Sequence, residues 1–309
     1  MRNLSPIARG EGSSNNDCLA RQEAPRFPRE MVRDKKSVPG FVRRLARSLA
    51  LAYLLVTVGI ASFQRRLIYF PSRASEQMQL GQARAGGLEP WRDEDGALIG
   101  WRQRREARSG TARFLVFHGN AGYALHRVLY AVDLADAVEC EVCILEYPGY
   151  GCRGGEPSQT ALVDAGEQAL RLLKKENSVG PVFLVGESLG SGVAAGVTAR
   201  APDLVAGLIF ITPLNCLSDV ASYHFPWLPV RWILADRYPA AEWLKNFHGP
   251  LAVVVAEHDE VIPNRFGMAL HDSYAGPKRL WVKPGMHNTI HASLDAEWWS
   301  EAVGFVRRQ

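Results

Sequence analysis

Residues 182–192 read V-F-L-V-G-E-S-L-G-S-G, and the fold turns on how this stretch divides. The apolar run over 182–185 reads as a strand. Gly186-Glu187-Ser188-Leu189-Gly190 follows, and then S-G-V-A-A-G, a helix start built of small residues. A serine lifted on a tight strand-to-helix turn needs glycine two positions before and two after it, because side chains at 186 and 190 would strike neighbouring backbone. Taken alone, the same five residues fit an ordinary strand-to-helix turn with a capping serine.

Outward from this turn, short β-branched runs alternate with helical spacing. Stretches 114–117, 142–147, 208–211, Leu251–Ala256 and 280–282 are nearly continuous in apolar character, as strands covered on both faces must be. Between and after them, 163–175, Leu189–Arg200, 266–274 and 297–307 carry helical spacing. The alternation predicts an α/β fold, a doubly wound and mostly parallel sheet. Residues 98–105 are expected to add an antiparallel edge strand.

In open sheets of this kind, ligands bind beyond the carboxyl ends of the strands, so chemistry belongs in the loops that follow them. After Leu251–Ala256 comes E-H-D-E-V-I-P, with Asp259 at its turn, and after 280–282 comes K-P-G-M-H, ending at His287. Ser188, Asp259 and His287 thus occur in nucleophile, acid, base order at successive strand ends. A serine hydroxyl is a weak nucleophile at neutral pH. His287 would take its proton, and Asp259 would fix the imidazole tautomer. Glu257 and Glu260 are rival acids, and His271 and His291 are rival bases that follow no strand and read as surface histidines. The first parallel strand ends in F-H-G-N-A-G at 117–122. Its glycines allow a bend that offers the Asn120 backbone amide, together with that of Leu189, to a developing oxyanion. His118, with Gly119, Gly186 and Gly190, reads as a supporting element of this loop and turn.

With R-L-I-Y-F-P at 66–71, E-Y-P-G-Y-G at 146–151, G-E-S-L-G-S-G at 186–192, H-D-E-V-I-P at 258–263 and G-M-H-N at 285–288, the chain resembles the membrane-anchored abhydrolase branch of the serine α/β-hydrolase superfamily. That branch includes bacterial single-span hydrolases and animal lysophospholipases and protein depalmitoylases. The resemblance covers about residues 65–309. It implies the α/β-hydrolase fold and a small-molecule or lipid acyl ester or thioester as substrate, and it leaves the particular substrate open. Arg153 departs from the serine common at that place in related sequences. No metal or organic cofactor is expected.

The N-terminal region has a different character. Of 309 residues, 47% are hydrophobic and 22% charged, which is ordinary globular usage. The basic excess is confined to residues 1–47, with 11 basic and 5 acidic side chains against 25 and 27 in the remainder. The bulk of the chain therefore has no electrostatic case for nucleic acid. Residues 1–40 read as a disordered basic leader, within which Met31 offers a shorter start. Residues 41–66 read as a transmembrane signal-anchor helix, whose uncharged run 48–64 is 17 residues long with Arg43, Arg44 and Arg47 before it and Arg65 and Arg66 after it. A buried core helix and a signal peptide cleaved near Gly59-Ile60-Ala61 are the alternatives. Six basic residues in 33–47 against three in 65–79 place the N-terminus in the cytoplasm and the catalytic domain outside it.

Residues 67–309 form the hydrolase domain, with a cap-like insertion over about 215–247 carrying Tyr223, Phe225, Trp227, Trp232, Tyr238, Trp243 and Phe247. These aromatics read equally as an apolar wall for an acyl chain, touching the bilayer, or as a cover for the sheet. Trp298 and Trp299 read as core. The five cysteines, Cys18, Cys140, Cys143, Cys152 and Cys216, cannot all pair and complete no zinc site, so they read as mostly buried thiols. The expected activity is acyl transfer to water through an acyl-enzyme. An amidase or aminopeptidase with the same residues, or a non-catalytic membrane-tethered binding protein of the same fold, stands as the alternative.

Overall fold

The computed structural model describes residues 39–103, 110–176 and 180–308. The chain divides into two units, Met1–Ala50 and Leu51–Gln309. The leader up to residue 38, with Cys18 and Met31, lies outside the described residues. Helix α1, Gly40–Ile68, contains the whole 48–64 run, and Gly59-Ile60-Ala61 lies inside it. It is long and apolar enough to cross a membrane. Of its residues only Thr57 is buried, which is not the burial of a core helix.

In the second unit the eight-stranded sheet comprises β1 Leu88–Arg92, β2 Leu98–Gln103, β3 Ala112–Phe117, β4 Cys140–Leu145, β5 Val182–Glu187, β6 Gly207–Ile211, β7 Leu251–Ala256 and β8 Lys278–Lys283. Their order is β8-β7-β6-β5-β3-β4-β2-β1. Strands β3 to β8 pair in parallel. The expected antiparallel edge at 98–105 is corrected: β2 does run antiparallel to β4, but β1 pairs antiparallel on its far side and is the edge. Pro90, inside L-E-P-W-R, hid β1 from a reading by pattern, because proline cannot donate to a ladder and sits only on edge strands.

Successive strand side chains feed two cores. Leu115, Phe117 and Leu184 pack on one face with Leu162 and Leu170 of α4 (Gln159–Glu176), Val193 of α5 (Leu189–Arg200) and Leu270 of α9 (Asn264–Ser273). Phe114, Val116 and Val185 pack on the other with Ala83 of α2 (Glu76–Ala85), Leu134 of α3 (Val128–Ala137) and Trp298, Trp299 and Val303 of α10 (Ala296–Arg307). Every residue of β3 to β7 is buried, the physical reason these strands lack polar alternation. Cys140 and Cys143 lie inside β4, and burial pushes the Cys143 thiol well above its ordinary pKa. Cys152 and Cys216 are only partly buried. The insertion between β6 and β7 folds into the short helices α6 Leu217–His224, α7 Val230–Ile233 and α8 Ala240–Trp243.

Candidate active site

Strand β5 delivers Ser188 to the rim of the sheet. Its backbone, at φ 52° and ψ −119°, occupies a sparsely populated region for a residue with a side chain. The amide of Ser188 donates to the Ile211 carbonyl at 2.9 Å, and Ser191 Oγ donates to the Ser188 carbonyl at 2.6 Å, so the turn is braced from both sides. A Cβ on Gly186 would stand 2.6 Å from the Ser191 Cα, and one on Gly190 would stand 2.1 Å from the Phe117 carbonyl oxygen. Both glycines are sterically required.

Beyond β7 and β8 the two loops stay zipped together: the Glu257 amide donates to the Lys283 carbonyl at 2.9 Å and the His258 amide to the Gly285 carbonyl at 3.0 Å. This continued pairing sets Asp259 beside His287. His287 Nδ1 lies 2.7 Å from Asp259 Oδ2, and His287 Nε2 lies 2.9 Å from Ser188 Oγ. Asp259 Oδ1 accepts from the Val261 amide at 2.9 Å and the Ile262 amide at 2.7 Å. Ser188, Asp259 and His287 are buried to 7–8% exposure, which leaves a thin opening to solvent. Glu257 and Glu260 are exposed; Glu260 Oε2 accepts from the His287 amide at 3.5 Å. His291 is exposed, and His271 faces Asp272 on α9.

The 118–120 loop abuts the serine, since a Cβ built on Gly119 would lie 3.6 Å from Ser188 Cβ. His118 is fully buried, with Nδ1 2.8 Å from the Gly119 carbonyl and its ring 4.1 Å from that of Tyr147. The Tyr147 hydroxyl donates to the His118 carbonyl at 2.9 Å. The Asn120 side chain is engaged elsewhere: Nδ2 donates to the Ile68 carbonyl, and Oδ1 accepts from the Phe70 amide and the Tyr150 hydroxyl. What residue 120 can offer an oxyanion is therefore its backbone amide. The Leu189 amide, at the first position of α5, is among those no helical carbonyl can reach.

Two buried carboxylates, one next to the serine and one behind the 118–120 loop, carried no expectation. Glu187, immediately before Ser188, is held by Arg127 through Nε to Oε2 and Nη2 to Oε1. Burial works against the Arg127 charge, but the Glu187 carboxylate outweighs it and keeps the guanidinium above its ordinary pKa. Glu146, fully buried at the end of β4, accepts from the Ala124 amide at 3.2 Å and from Gln79 Nε2 at 3.3 Å, and its Oε1 lies 3.6 Å from His118 Nε2. The only signal for it was a carboxylate ending an otherwise apolar run, C-I-L-E-Y. Arg153, the departure in the adjoining loop, reaches back to donate to the Glu146 carbonyl at 2.6 Å. Among the described residues no group of three or more His, Cys, Asp or Glu side chains is arranged to hold a metal ion.

The α/β-hydrolase-fold family model matches residues 112–239, a span that includes the serine turn. The chain belongs to the α/β-hydrolase superfamily. An uncharacterized protein of Mycobacterium tuberculosis is 32% identical to this hydrolase over 256 residues, covering 81% of this chain and 90% of its own length. The α/β-hydrolase domain-containing protein WAV2 of Arabidopsis thaliana is 28% identical over 252 residues, covering 76% and 80%. Among solved structures, the Pyrococcus furiosus esterase Pf2001 superposes with a TM-score of 0.57 at 17% identity, covering 78% of this hydrolase and 97% of the esterase.

The cap aromatics divide. Tyr238 and Phe247 are buried against the sheet and Trp243 is half-buried, whereas Tyr223, Phe225, Trp227 and Trp232 face outward. The end of α6 is tied to the site, with His224 Nε2 2.9 Å from the Val261 carbonyl in the Asp259 loop.

Proposed function

We propose that the protein is a membrane-tethered serine hydrolase that cleaves acyl ester or thioester bonds through an acyl-enzyme on Ser188. With the His287 Nδ1 proton donated to Asp259, Nε2 is the lone-pair nitrogen and accepts the Ser188 hydroxyl proton. As Oγ attacks the acyl carbonyl carbon, that proton passes to Nε2 and the carbonyl oxygen becomes an oxyanion facing the Leu189 and Asn120 amides. One such donor is worth about 2.7–4 kcal/mol in the transition state. Asp259 stabilises the imidazolium, and the two amides on its Oδ1 hold the carboxylate in orientation. Collapse breaks the bond to the alcohol or thiol, which leaves with the Nε2 proton. Water then repeats the sequence on the acyl-serine, giving up its proton to His287, and Ser188 is restored.

The observation that carries this reading is the unbroken chain of hydrogen-bond distances from Ser188 through His287 to Asp259. Helix α1, exposed along most of its apolar length and bounded by arginines, supports a single span, and the greater number of basic residues before it supports a catalytic domain outside the cytoplasm. Short p-nitrophenyl esters test the reading. Wild type should release a burst of p-nitrophenol equal to the active protein, and Ser188→Ala should show none. An undiminished burst from the variant would overturn it.

A further inference from the structure

The base of α1 and the cap are joined by a seam of polar contacts. The Tyr53 hydroxyl donates to the Trp227 carbonyl at 2.8 Å. Gln64 Nε2 donates to the Ile233 carbonyl at 3.1 Å, and Gln64 Oε1 accepts from the Ala235 amide at 2.7 Å. Arg65 Nε lies 3.3 Å from Asp236 Oδ2, which also accepts from the Tyr69 hydroxyl at 2.9 Å. The cap is therefore fixed along the helix, and its depth is the depth of the helix. From Tyr53 to Gln64 an α-helix rises about 16 Å, roughly half of a bilayer's hydrocarbon thickness of about 30 Å. Both residues belong to the 48–64 run, whose midpoint is residue 56, so if that run spans a bilayer, the cap carbonyl bonded to Tyr53 lies near the midplane and the cap atoms bonded to Gln64 lie at the run's outer end.

The cap is built for that surrounding. Between 225 and 235 the sequence is F-P-W-L-P-V-R-W-I-L-A, and its one charged side chain, Arg231, pairs with Asp219 at 3.0 Å. Pro226 and Pro229 have no amide hydrogen. The amides of Leu228, Val230, Trp232, Ile233 and Leu234 donate within the segment, and that of Ala235 donates to Gln64. With the Phe225 amide on the Ala221 carbonyl, seven of the nine amide hydrogens of 225–235 are paired, those of Trp227 and Arg231 having no partner among the described residues. Since each unpaired group in hydrocarbon costs several kcal/mol, this pairing lowers the cost of insertion. The large apolar side chains left outward are Phe225, Trp227 and Trp232, the last 88% exposed, and the charge of Arg231, itself 71% exposed, is met there by Asp219.

We propose that residues 225–235 insert into the lipid leaflet beside α1, so that the bilayer is the partner of this aromatic surface. The inference rests on the reading of α1 as a span. Through the contact of His224 with Val261, the inserted segment also sets the Asp259 loop at the membrane surface.

Trp fluorescence of the full chain in phosphatidylcholine vesicles, with lipids brominated along the acyl chains as quenchers, tests the proposal. Alkaline carbonate extraction of the same vesicles reports on the span separately. The proposal expects carbonate-resistant protein whose emission is quenched, with most of the quenching lost in Trp227→Phe/Trp232→Phe, a double variant that keeps the wild-type thermal transition. Resistant protein whose quenching is unchanged by the double substitution would overturn the insertion alone. Resistant protein with no quenching, and crosslinking between copies through the cap, would assign the surface to a second copy of the chain instead. Protein released by carbonate would remove the span and the insertion together.

Discussion

Arg127 holds both carboxylate oxygens of Glu187, and Glu187 is the peptide neighbour of Ser188. The pair is mostly enclosed, at 23% and 12% side-chain exposure, so it fixes the strained turn from below while the glycines free it from above. Removing one partner leaves a poorly solvated charge. Arg127→Ala should destabilise the fold by about 2–3 kcal/mol, somewhat less than a fully buried pair, and lower kcat with it. The double variant Arg127→Met/Glu187→Leu should melt at a higher temperature than either single change. Thermal unfolding of wild type, Arg127→Met, Glu187→Leu and the double variant checks the coupling.

Asp259 is distinguished from its neighbours by contact, since its Oδ2 meets His287 while Glu257 and Glu260 stay exposed. Asp259→Asn keeps the shape but can hold the wrong imidazole tautomer, and should lower kcat by about 10⁴. Glu257→Gln and Glu260→Gln should leave kcat close to wild type. Steady-state rates on one p-nitrophenyl ester discriminate the three.

Gly190→Ala would drive a Cβ into the Phe117 carbonyl oxygen. That carbonyl leads into the 118–120 loop, so relief of the clash moves the Asn120 amide away from the site. The expected loss in kcat is about 10²–10³, the worth of one oxyanion donor. KM should change far less.

The thiols should divide by position. Burial inside β4 pushes the Cys143 thiol up, which suppresses the thiolate and so its reactivity. Alkylation followed by peptide mass mapping should find Cys140 and Cys143 unmodified in native protein and modified after unfolding, with Cys216 modified in both.

The parallel strands β3 to β7 were legible because each is buried on both faces and so reads as a nearly continuous apolar run, and the half-exposed β8 showed only through its L-W-V centre. The site was legible because Ser188, Asp259 and His287 each follow such a run, where the topology converges. β1 was not, because Pro90 erases the strand signal in L-E-P-W-R. Nor were the roles of Glu146 and Arg127: their partners, Gln79, Ala124 and Glu187, are set by how the loops stack and not by any spacing along the chain. The split of the cap aromatics was equally hidden, since outward Trp232 and inward Tyr238 differ only in which side of a short insertion they occupy.

The proposed chemistry requires that His287 make the oxygen of Ser188 nucleophilic. Intact-protein mass spectrometry after a fluorophosphonate probe tests it most directly. Wild type should gain one phosphonyl group, mapped to the peptide bearing Ser188, and His287→Ala should gain almost none in the same time. Equal labelling of the folded His287→Ala protein, or a label on another residue, would show that His287 does not activate Ser188.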